Sequence, residues 1–394
     1  MRTTVLSDRT RCTGCAACAE RCPESAIAMK ADGEGFLYPT VDPSRCVECG
    51  RCERECPAVR ERPASRPALF GARNLNPEER EASSSGGVFS LLAEAVLSKG
   101  GAVFGAVFDQ EFRVEHVGAI TRDEAALMRG SKYVQSDVRE ALGHARSLAE
   151  QGIPILFSGT PCQTAGLASL FGKRLPENLV TVDFVCHGVP SPAVFASYLV
   201  ALEKEAGSRL AAYSFRDKRL GWKNFSAAAR FAGGAEHTGT QTEDPFLRGF
   251  LQNLYLRPSC HSCTALRYGA HAADLTIADL WGAQEFFPEW DDDRGLSLVF
   301  ANTKKGREAL DACPELERRM IADAGRMARA NPSIFAPAPA HAHRGRFFKA
   351  FRRKGFSDHL IESCLRESRA QKALRRLRHA PSGILRRVKR LTGR

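Results

Sequence analysis

The sequence has no long hydrophobic run. No stretch approaches the roughly 18 consecutive apolar residues of a membrane-spanning helix. The longest apolar run, GAVFGAVF at residues 101–108, is predicted to be a buried strand. The N-terminal residues MRTTVLSDRTRC also lack the apolar segment that a secretory signal needs. These absences predict a cytoplasmic protein.

A disulfide framework is not indicated either, although the chain has 14 cysteines. Such frameworks belong to small secreted domains that cannot build a hydrophobic core. This chain has 394 residues, 43% of them hydrophobic and 26% charged, which is typical of a soluble globular protein with two or three folded units. The chain is therefore long enough for a sizeable catalytic body.

Before Arg344 the chain has no excess of positive charge. From Arg344 onward, 17 Lys and Arg face 3 Asp and Glu, which more than accounts for the net charge of +12. This basic tail is interpreted either as a solvated helix pair over the body or as a surface for anionic lipid, nucleic acid or an acidic partner. Binding to lipid would place the protein at the inner face of the membrane. Nucleic acid is the least favoured partner, because the tail has few aromatic residues beyond Phe347, Phe348, Phe351 and Phe356.

Eight of the cysteines form two copies of one pattern, C-x2-C-x2-C-x3-C-P. Thiolates are the ligands of iron-sulfur clusters, and three cysteines at this spacing let one tight loop wrap three corners of a cubic cluster. The fourth cysteine of each copy then ligates the cluster of the other copy. The pattern predicts two 4Fe-4S clusters, one on Cys12, Cys15, Cys18 and Cys56 and the other on Cys46, Cys49, Cys52 and Cys22. Structural zinc is the alternative, but it uses two spaced pairs of ligands rather than three closely spaced cysteines and a Cys-Pro.

The rest of the chain predicts an α+β fold. The Pro-rich stretch RERPASRPALFG at residues 60–71 cannot continue a helix and marks a domain boundary. Beyond it, short β-rich apolar runs alternate with helical patterns, including a helix over about residues 87–98 bounded by Ser and Gly. We predict an N-terminal two-cluster ferredoxin-like domain, a mixed-sheet α/β body in two parts and a basic helical tail, at residues 1–60, 66–150, 151–345 and 346–394.

Four of the remaining cysteines could form a third site. Cys162 and Cys186 each follow a strand-like run, so both thiols could emerge at the same edge of a sheet, and the pair Cys260 and Cys263 could arrive from a loop. A cluster, a zinc site, and unliganded core cysteines or a redox pair all remain open from spacing alone. Cys313 and Cys364 each stand alone in the sequence and are predicted to be structural.

Seven motifs follow one another beyond the cysteine repeats. They are SSGGVFSLLAEAVLSKGGAVFGAVFD, RGSKYVQSDV, SGTPCQTAGLASLFG, DFVCHGVPSP, SFRDKRLGWKNFS, RPSCHSC and ADLTIADLWG. Together they resemble the beta subunit family of coenzyme F-420-reducing hydrogenases and dehydrogenases, over residues 66–345. The basic tail looks more like that of bacterial members associated with polysaccharide biosynthesis.

The resemblance implies an iron-sulfur flavoprotein. It implies a third 4Fe-4S cluster on Cys162, Cys186, Cys260 and Cys263, and an FAD bound near Ser85, Gly86, Gly87 and Lys132, so that the body would be flavin-binding. Glycines before a helix leave backbone N–H groups free for a pyrophosphate, which the helix dipole also favours. Without the resemblance, however, a Ser-Gly-Gly sequence would more often be a plain helix cap than a phosphate site. A single Lys would more often be a solvated surface residue than a ligand-binding one.

We therefore predict an oxidoreductase. Electrons would pass from a donor protein or redox subunit through the clusters to FAD and on to a hydride acceptor, which is coenzyme F-420 or another small molecule, and the reverse direction is equally allowed. No protein nucleophile is expected, and His187 is expected to donate a hydrogen bond beside Cys186. One alternative is a non-enzymatic electron-relay subunit of a larger redox complex. A metal-stabilised nucleic-acid-binding protein is the other.

Overall fold

The computed structural model describes residues 8–59, 66–172, 174–264, 269 and 271–366. The strands are β1 Ile27–Ala31, β2 Leu37–Val41, β3 Ala68–Asn74, β4 Ala102–Phe108, β5 Val114–Ala119, β6 Ile155–Ser158, β7 Leu179–Phe184, β8 Leu210–Asp217, β9 Ser226–Phe231, β10 Glu236–Thr240, β11 Leu275–Asp279, β12 Ser297–Ala301 and β13 Leu316–Met320. The helices are α1 Ala17–Glu20, α2 Arg51–Arg54, α3 Pro77–Ala82, α4 Val88–Leu97, α5 Arg122–Ala126, α6 Arg139–Glu150, α7 Pro161–Leu170, α8 Pro192–Ala206, α9 Pro245–Leu251, α10 Lys304–Asp311, α11 Met327–Ala330, α12 Arg344–Lys354 and α13 Asp358–Leu365.

The body is organised on an eight-stranded mixed sheet in the order β13-β3-β12-β11-β7-β6-β4-β5. Its central strands β4, β6, β7 and β11 are parallel, whereas β12, β3, β13 and β5 pair in antiparallel fashion. A separate three-stranded antiparallel sheet contains β8, β9 and β10. The predicted α+β class and mixed sheet are confirmed, as is the helix predicted near residues 87–98.

Short polar signals start the helices that follow the central strands. Helix α7 begins with Pro161 and has a capping box formed by Thr160 and Gln163. Helix α8 begins with Pro192, and the Ser191 hydroxyl accepts the N–H of the third helical residue. Both caps follow the carboxyl ends of parallel strands, so the residues between strand and helix gather at one edge of the sheet.

The N-terminal domain contains one structural unit twice. Ala16 (φ 61°) and Gly50 (φ 69°) lie in the left-handed region directly before the short helices α1 and α2. Gly14 (φ 70°) and Glu48 (φ 52°), two residues earlier, adopt the same hand. The two cysteine patterns therefore have matching backbone conformations, and the antiparallel hairpin of β1 and β2 lies between them.

The N-terminal domain packs onto the body through polar contacts. The Arg21 guanidinium donates to the Leu170 carbonyl at the end of α7, at 2.8 Å. In the β1–β2 turn, the Glu34 carbonyl accepts from the Ser191 hydroxyl, and the Glu34 carboxylate pairs with Arg344 at 2.5 Å. These contacts hold the N-terminal domain against helices α7, α8 and α12.

Helices α12 and α13 are part of the body's aromatic core. Phe347, Phe348 and Ile361 are 0%, 1% and 0% exposed and belong to a cluster that also contains Phe195 and Tyr213. The predicted boundary between residues 345 and 346 falls inside α12. Residues 367–394 of the predicted tail lie outside the described residues. No helix in the described ranges combines the length and the apolar character that a membrane crossing requires.

Candidate metal centres and cofactor cavity

The cysteines of the first repeat surround a small cavity. Cys12, Cys15 and Cys18 line it together with Cys56 from the second repeat, which is the interleaved set predicted for one cluster. Burial, together with the charges of Cys162 and Cys56, raises the pKa of the Cys15 thiol to about 12. Forming thiolates at this buried site costs free energy, and bound iron would stabilise them. This donor set therefore fits a 4Fe-4S cluster.

The cysteines assigned to the second cluster lie nearer the surface. Cys49 is exposed, and Cys22, Cys46 and Cys52 are half-buried. Burial raises the pKa of the Cys52 thiol, and the charges of Glu53 and Cys49 raise it further, so Cys49 and Cys52 are neighbours. The grouping of Cys22 and Cys46 with them stays a prediction.

Three separate elements supply the cysteines of the third group. Cys162 lies in the first turn of α7, which follows β6, and Cys186 lies two residues after β7. Because β6 and β7 are parallel neighbours, both residues lie at the same edge of the sheet. Cys260 and Cys263 come from the short 3-10 turn Pro258–Ser262 and the residue that follows it.

The four thiols of the third group are close to one another. Burial raises the pKa of the Cys186 thiol well above its usual value, and the charges of Cys260, Cys162 and Cys263 raise it further. Burial also raises the pKa of Cys260 to about 12, with the same contribution from Cys162 and Cys263. The set fits a four-thiolate cluster by its donor chemistry. Across the described residues, no three His, Cys, Asp or Glu side chains form a group that could hold one metal ion.

The two lone cysteines lie in hydrophobic cores. Cys313 is 5% exposed and its Sγ donates to the Ala309 carbonyl at 3.4 Å, while Cys364 is 1% exposed. Burial raises the pKa of Cys313 to about 11. Both positions agree with the structural role predicted for them.

Helix α7 joins the first cysteine group to the third. Its first turn carries Cys162, and one turn later a Cβ added to Gly166 would lie 3.1 Å from the Cβ and 3.3 Å from the Sγ of Cys15. Glycine at residue 166 thus allows the first cysteine loop to approach the helix closely. The two groups are consequently separated by about one helical turn.

A cavity of about 450 Å³ lies beside the third group. Its wall includes Ser85, Gly87 and Lys132, which are three of the four predicted flavin residues, and also Cys186. The carboxyl ends of the central strands contribute further lining residues, Ser158 from β6, Phe184 from β7 and Asp279 from β11. The predicted flavin residues and a predicted cluster ligand therefore share one cavity.

The amino end of α4 faces this cavity. Gly87 caps the helix in the left-handed region at φ 81°, and no side chain accepts from the first turn at this cap. Gly86 is buried behind it, where its N–H donates to the Ser297 hydroxyl at 2.9 Å. A Cβ added to Gly86 would lie 2.5 Å from the Ala72 carbonyl oxygen, so close packing requires glycine there. The arrangement leaves helix N–H groups for an anion.

Lys132 supplies a titratable cation in the cavity wall. Its ammonium donates to the carbonyls of Leu127 and Arg129, both at 2.9 Å. Burial lowers the pKa of Lys132 to about 7. The neighbouring Arg129 is already paired with Glu79 at 2.7 Å. A bound anion would therefore find its charge partner in Lys132 rather than in Arg129.

Arg216 is a cavity residue that its sequence context does not single out. Its side chain is 3% exposed and makes two hydrogen bonds to the Asp279 carboxylate, at 3.0 and 3.1 Å. The same carboxylate accepts from the Trp222 indole at 2.9 Å, and Trp222 stacks on Trp281 with ring centroids 4.5 Å apart. Arg216 and Asp279 occur in two of the seven motifs, and this was the only sign in the sequence that they matter. Their separation of 63 residues gives no indication that they form a pair.

Two buried polar atoms of the cavity residues, the Nε of Arg216 and the Nδ1 of His116, have no hydrogen-bond partner among the described residues. Burial lowers the pKa of His116 to about 4, so the ring is neutral, and its Nε2 lies 3.0 Å from the Ser158 carbonyl, which leaves Nδ1 as an acceptor. Buried polar groups are normally satisfied. A polar cofactor such as FAD fits this wall.

Two family models match parts of the chain. Residues 154–323 match the family described as the C terminus of the coenzyme F420 hydrogenase/dehydrogenase beta subunit, and residues 11–59 match the 4Fe-4S dicluster domain. A chain of the F420-reducing NiFe hydrogenase complex from Methanosarcina barkeri has a TM-score of 0.46 at 20% identity, covering 70% of this chain and 92% of that chain. This structural similarity is too weak to bear on function. No curated protein matches the chain.

Proposed function

We propose that this chain, which carries a C-terminal domain of the coenzyme F420 hydrogenase/dehydrogenase beta subunit family behind a 4Fe-4S dicluster domain, is an iron-sulfur flavoprotein oxidoreductase. It passes electrons from the two N-terminal clusters through a third 4Fe-4S cluster to FAD and on to a hydride acceptor. The acceptor is coenzyme F420 or another small molecule.

One observation carries the proposal. Cys186 belongs both to the third cysteine group and to the wall of the cavity that contains Ser85, Gly87 and Lys132. On the other side of that group, Cys162 lies in the first turn of the helix that packs on Cys15. The first cysteine group, the third group and the cavity are thus adjacent in that order, which is the order that electron transfer requires.

The proposal assigns three sets of cysteine ligands. Cys12, Cys15, Cys18 and Cys56 would hold the first cluster, Cys46, Cys49, Cys52 and Cys22 the second, and Cys162, Cys186, Cys260 and Cys263 the third. FAD would supply the conversion between single-electron and hydride chemistry. Ser85, Gly87 and Lys132 would hold it, with the amino end of α4 offering N–H groups and Lys132 a positive charge. Gly86 would support them from behind, because its N–H already donates to Ser297.

Arg216 and Asp279 would shape the polar side of the cavity. Arg216 keeps its charge because Asp279 binds it through two hydrogen bonds, and its free Nε remains available to a bound group. The rest of the wall includes the partly exposed side chains of Phe184 and Leu251. These residues would present an apolar surface to a ring-shaped acceptor. Trp281, which also lines the cavity, would help to exclude water from the bound acceptor.

An electron-donor protein or redox subunit would meet the chain at the second cluster. Cys49 is exposed, whereas the third group is reached through the interior and the cavity. A donor protein could approach the exposed second group closely, and a short distance favours electron transfer there. A role for residues 367–394 at an anionic membrane surface or an acidic partner stays a prediction.

The test is anaerobic purification followed by iron, sulfide and flavin analysis. About 12 iron atoms and one FAD per chain are expected. The Cys186→Ser variant should lose about four iron atoms and weaken FAD retention, while Cys313→Ser, which removes a buried cysteine outside the three groups, should keep the full content. About eight iron atoms and no flavin in the unaltered protein would contradict the proposal and favour an electron-relay subunit.

Turnover is tested separately from cofactor content. The loaded protein should exchange hydride with coenzyme F420 or a small-molecule analogue when a low-potential one-electron donor or acceptor is supplied. A relay subunit would accept electrons at its clusters but neither reduce nor oxidise a small molecule by itself.

A further inference from the structure

A buried arginine lies between the first and third cysteine groups. Arg257 is 0% exposed and comes immediately before the 3-10 turn that carries Cys260. Its backbone N–H donates to the Val189 carbonyl at 3.0 Å, three residues beyond Cys186. The backbone of Arg257 is therefore fixed by the chain segments that supply the third group.

The side chain points instead to the first group. Its Nε donates to the Cys12 carbonyl at 3.0 Å, and one terminal nitrogen lies 3.8 Å from the Cys12 Sγ. The remaining donors reach the Leu37 carbonyl and the Gln135 side-chain carbonyl, both at 2.9 Å. The guanidinium also lies 4.1 Å from the centroid of the Tyr38 ring.

These partners are all uncharged, and no carboxylate of the described residues forms an ion pair with Arg257. A buried cation without a counter-charge is costly. The thiols nearest to it are the ones predicted to become anionic ligands. The Arg257 carbonyl also accepts the N–H of Cys260, at 3.0 Å.

Packing holds the guanidinium in place. A Cβ added to Gly14, inside the first cysteine loop, would lie 2.8 Å from an Arg257 nitrogen and 2.6 Å from the Gln135 amide nitrogen. The equivalent position in the second repeat is Glu48, which is exposed. Of the two repeats, only the first therefore contacts the buried Arg257 among the described residues.

A cluster becomes more negative by one electron when it is reduced. A nearby cation stabilises the more negative state and raises the reduction potential, most strongly where water is excluded. One cation between two clusters raises both potentials, so both clusters become easier to reduce.

We infer that Arg257 is a positioning residue for electron transfer, a buried cation that raises the reduction potentials of the clusters on Cys12, Cys15, Cys18 and Cys56 and on Cys162, Cys186, Cys260 and Cys263. The inference rests on the proposed function, because it needs both clusters. It concerns the electrostatics of the junction between them and assigns no ligand role to Arg257.

The experiment is a redox titration of the purified holoprotein followed by EPR, with iron analysis on each sample. Arg257→Met should shift two of the three clusters to lower potential, and Arg257→Lys, which keeps the charge, should stay near the unaltered protein. Arg9→Met is the matched control. Arg9 also lies over Tyr38, at 5.3 Å, but its side chain is 63% exposed and paired with Asp32, so its loss should shift the potentials little.

A second variant keeps the test decisive if Arg257→Met does not fold. Gln135→Glu changes an amide that contacts Arg257 at 2.9 Å into a carboxylate of nearly the same shape, which compensates the cation without removing it. The same two potentials should fall. Unchanged potentials in Gln135→Glu, or an Arg257→Met shift no larger than that of Arg9→Met, would overturn the inference. Absence of the third cluster from the unaltered protein would instead refute the proposed function.

Discussion

Replacing Gly14 with Ala tests how tightly the first cysteine loop is held against the body. Gly14 has φ +70°, and a Cβ there would lie 2.6 Å from the Gln135 amide nitrogen, 2.8 Å from Arg257 and 2.9 Å from the Leu37 carbonyl oxygen. Leu37 contributes backbone, and Arg257 is fully buried with each of its contacts directed at a fixed acceptor. The Leu37 carbonyl cannot retreat cheaply, and Arg257 cannot do so without giving up hydrogen bonds to backbone carbonyls.

Two costs add at this position. An alanine in the left-handed region costs about 1–2 kcal/mol, and insertion of a methyl group into a packed site costs about 1–3 kcal/mol. Gly14→Ala should therefore lower the free energy of unfolding by about 2–5 kcal/mol. Since the loop carries three predicted cluster ligands, loss of cluster absorbance should accompany the loss of structure.

The second repeat provides the matched control. Gly50 has φ +69°, but a Cβ there would approach only the end of the Arg54 side chain, at 2.9 Å, with its next contact at 3.9 Å. The first repeat already has an alanine at the equivalent position, Ala16, with φ 61°. Gly50→Ala should therefore cost about 1–2 kcal/mol, from the backbone alone.

The assay is urea denaturation of both variants as anaerobic holoproteins, followed by far-ultraviolet circular dichroism and by the visible absorbance of the clusters. Gly14→Ala should show the earlier transition by both signals. Equal transitions for the two variants would refute the reasoning, because the contacts with Gln135, Arg257 and Leu37 would then contribute nothing to stability.

Three further predictions concern the cavity and the core. Because the pKa of Lys132 is lowered to about 7 and its cation should bind an anionic group, FAD affinity measured by fluorescence should be constant below pH 7 and fall by up to about tenfold per pH unit above it. Lys132→Arg should remove this decrease, whereas His116, with a pKa of about 4, stays neutral throughout and cannot cause it. Asp279→Asn should destabilise the protein by about 3 kcal/mol in urea denaturation, because it leaves Arg216 buried without its counter-charge; an effect below that of an exposed Asp→Asn change would contradict this. Phe347→Ala should cost about 3–5 kcal/mol in the same assay, since the ring is 0% exposed, and a stability equal to that of the unaltered chain would show that α12 is not part of the core.

Local patterns predicted a large part of the architecture. The cysteine repeats have a spacing that fixes the loop conformation, and the structure gives both copies the same left-handed residues, at Gly14 and Glu48 and at Ala16 and Gly50. Cys162 and Cys186 were expected at one sheet edge because each follows an apolar run, and the parallel pairing of β6 with β7 has that result. In these cases a short stretch of sequence determines the geometry.

Contacts between distant segments could not be predicted in the same way. Arg216 and Asp279 look like ordinary surface charges in the sequence, and their pairing depends on the packing of β8 and its following loop beside β11. Arg257 precedes a cysteine pair and gives no sign that its side chain reaches Cys12, which is 245 residues away. The basic character of α12 similarly masked Phe347, whose burial depends on a core built by α8, α9 and β8.

The two repeats differ in that, within the described residues, only the first contacts a buried cation. The difference follows from how far each proposed cluster lies from water. The second repeat lies near water, with Cys49 exposed, so solvent can stabilise an added electron there. At the first repeat, Cys15 is buried against α7, and an added electron would be costly unless the protein supplies a positive charge. Arg257 supplies it, and Gly14 leaves the space through which it reaches the loop. In the second repeat the equivalent residue, Glu48, is exposed, so its side chain does not block a buried cation. The proposed interior route from the first group to the cavity would thus depend on one buried charge, Arg257.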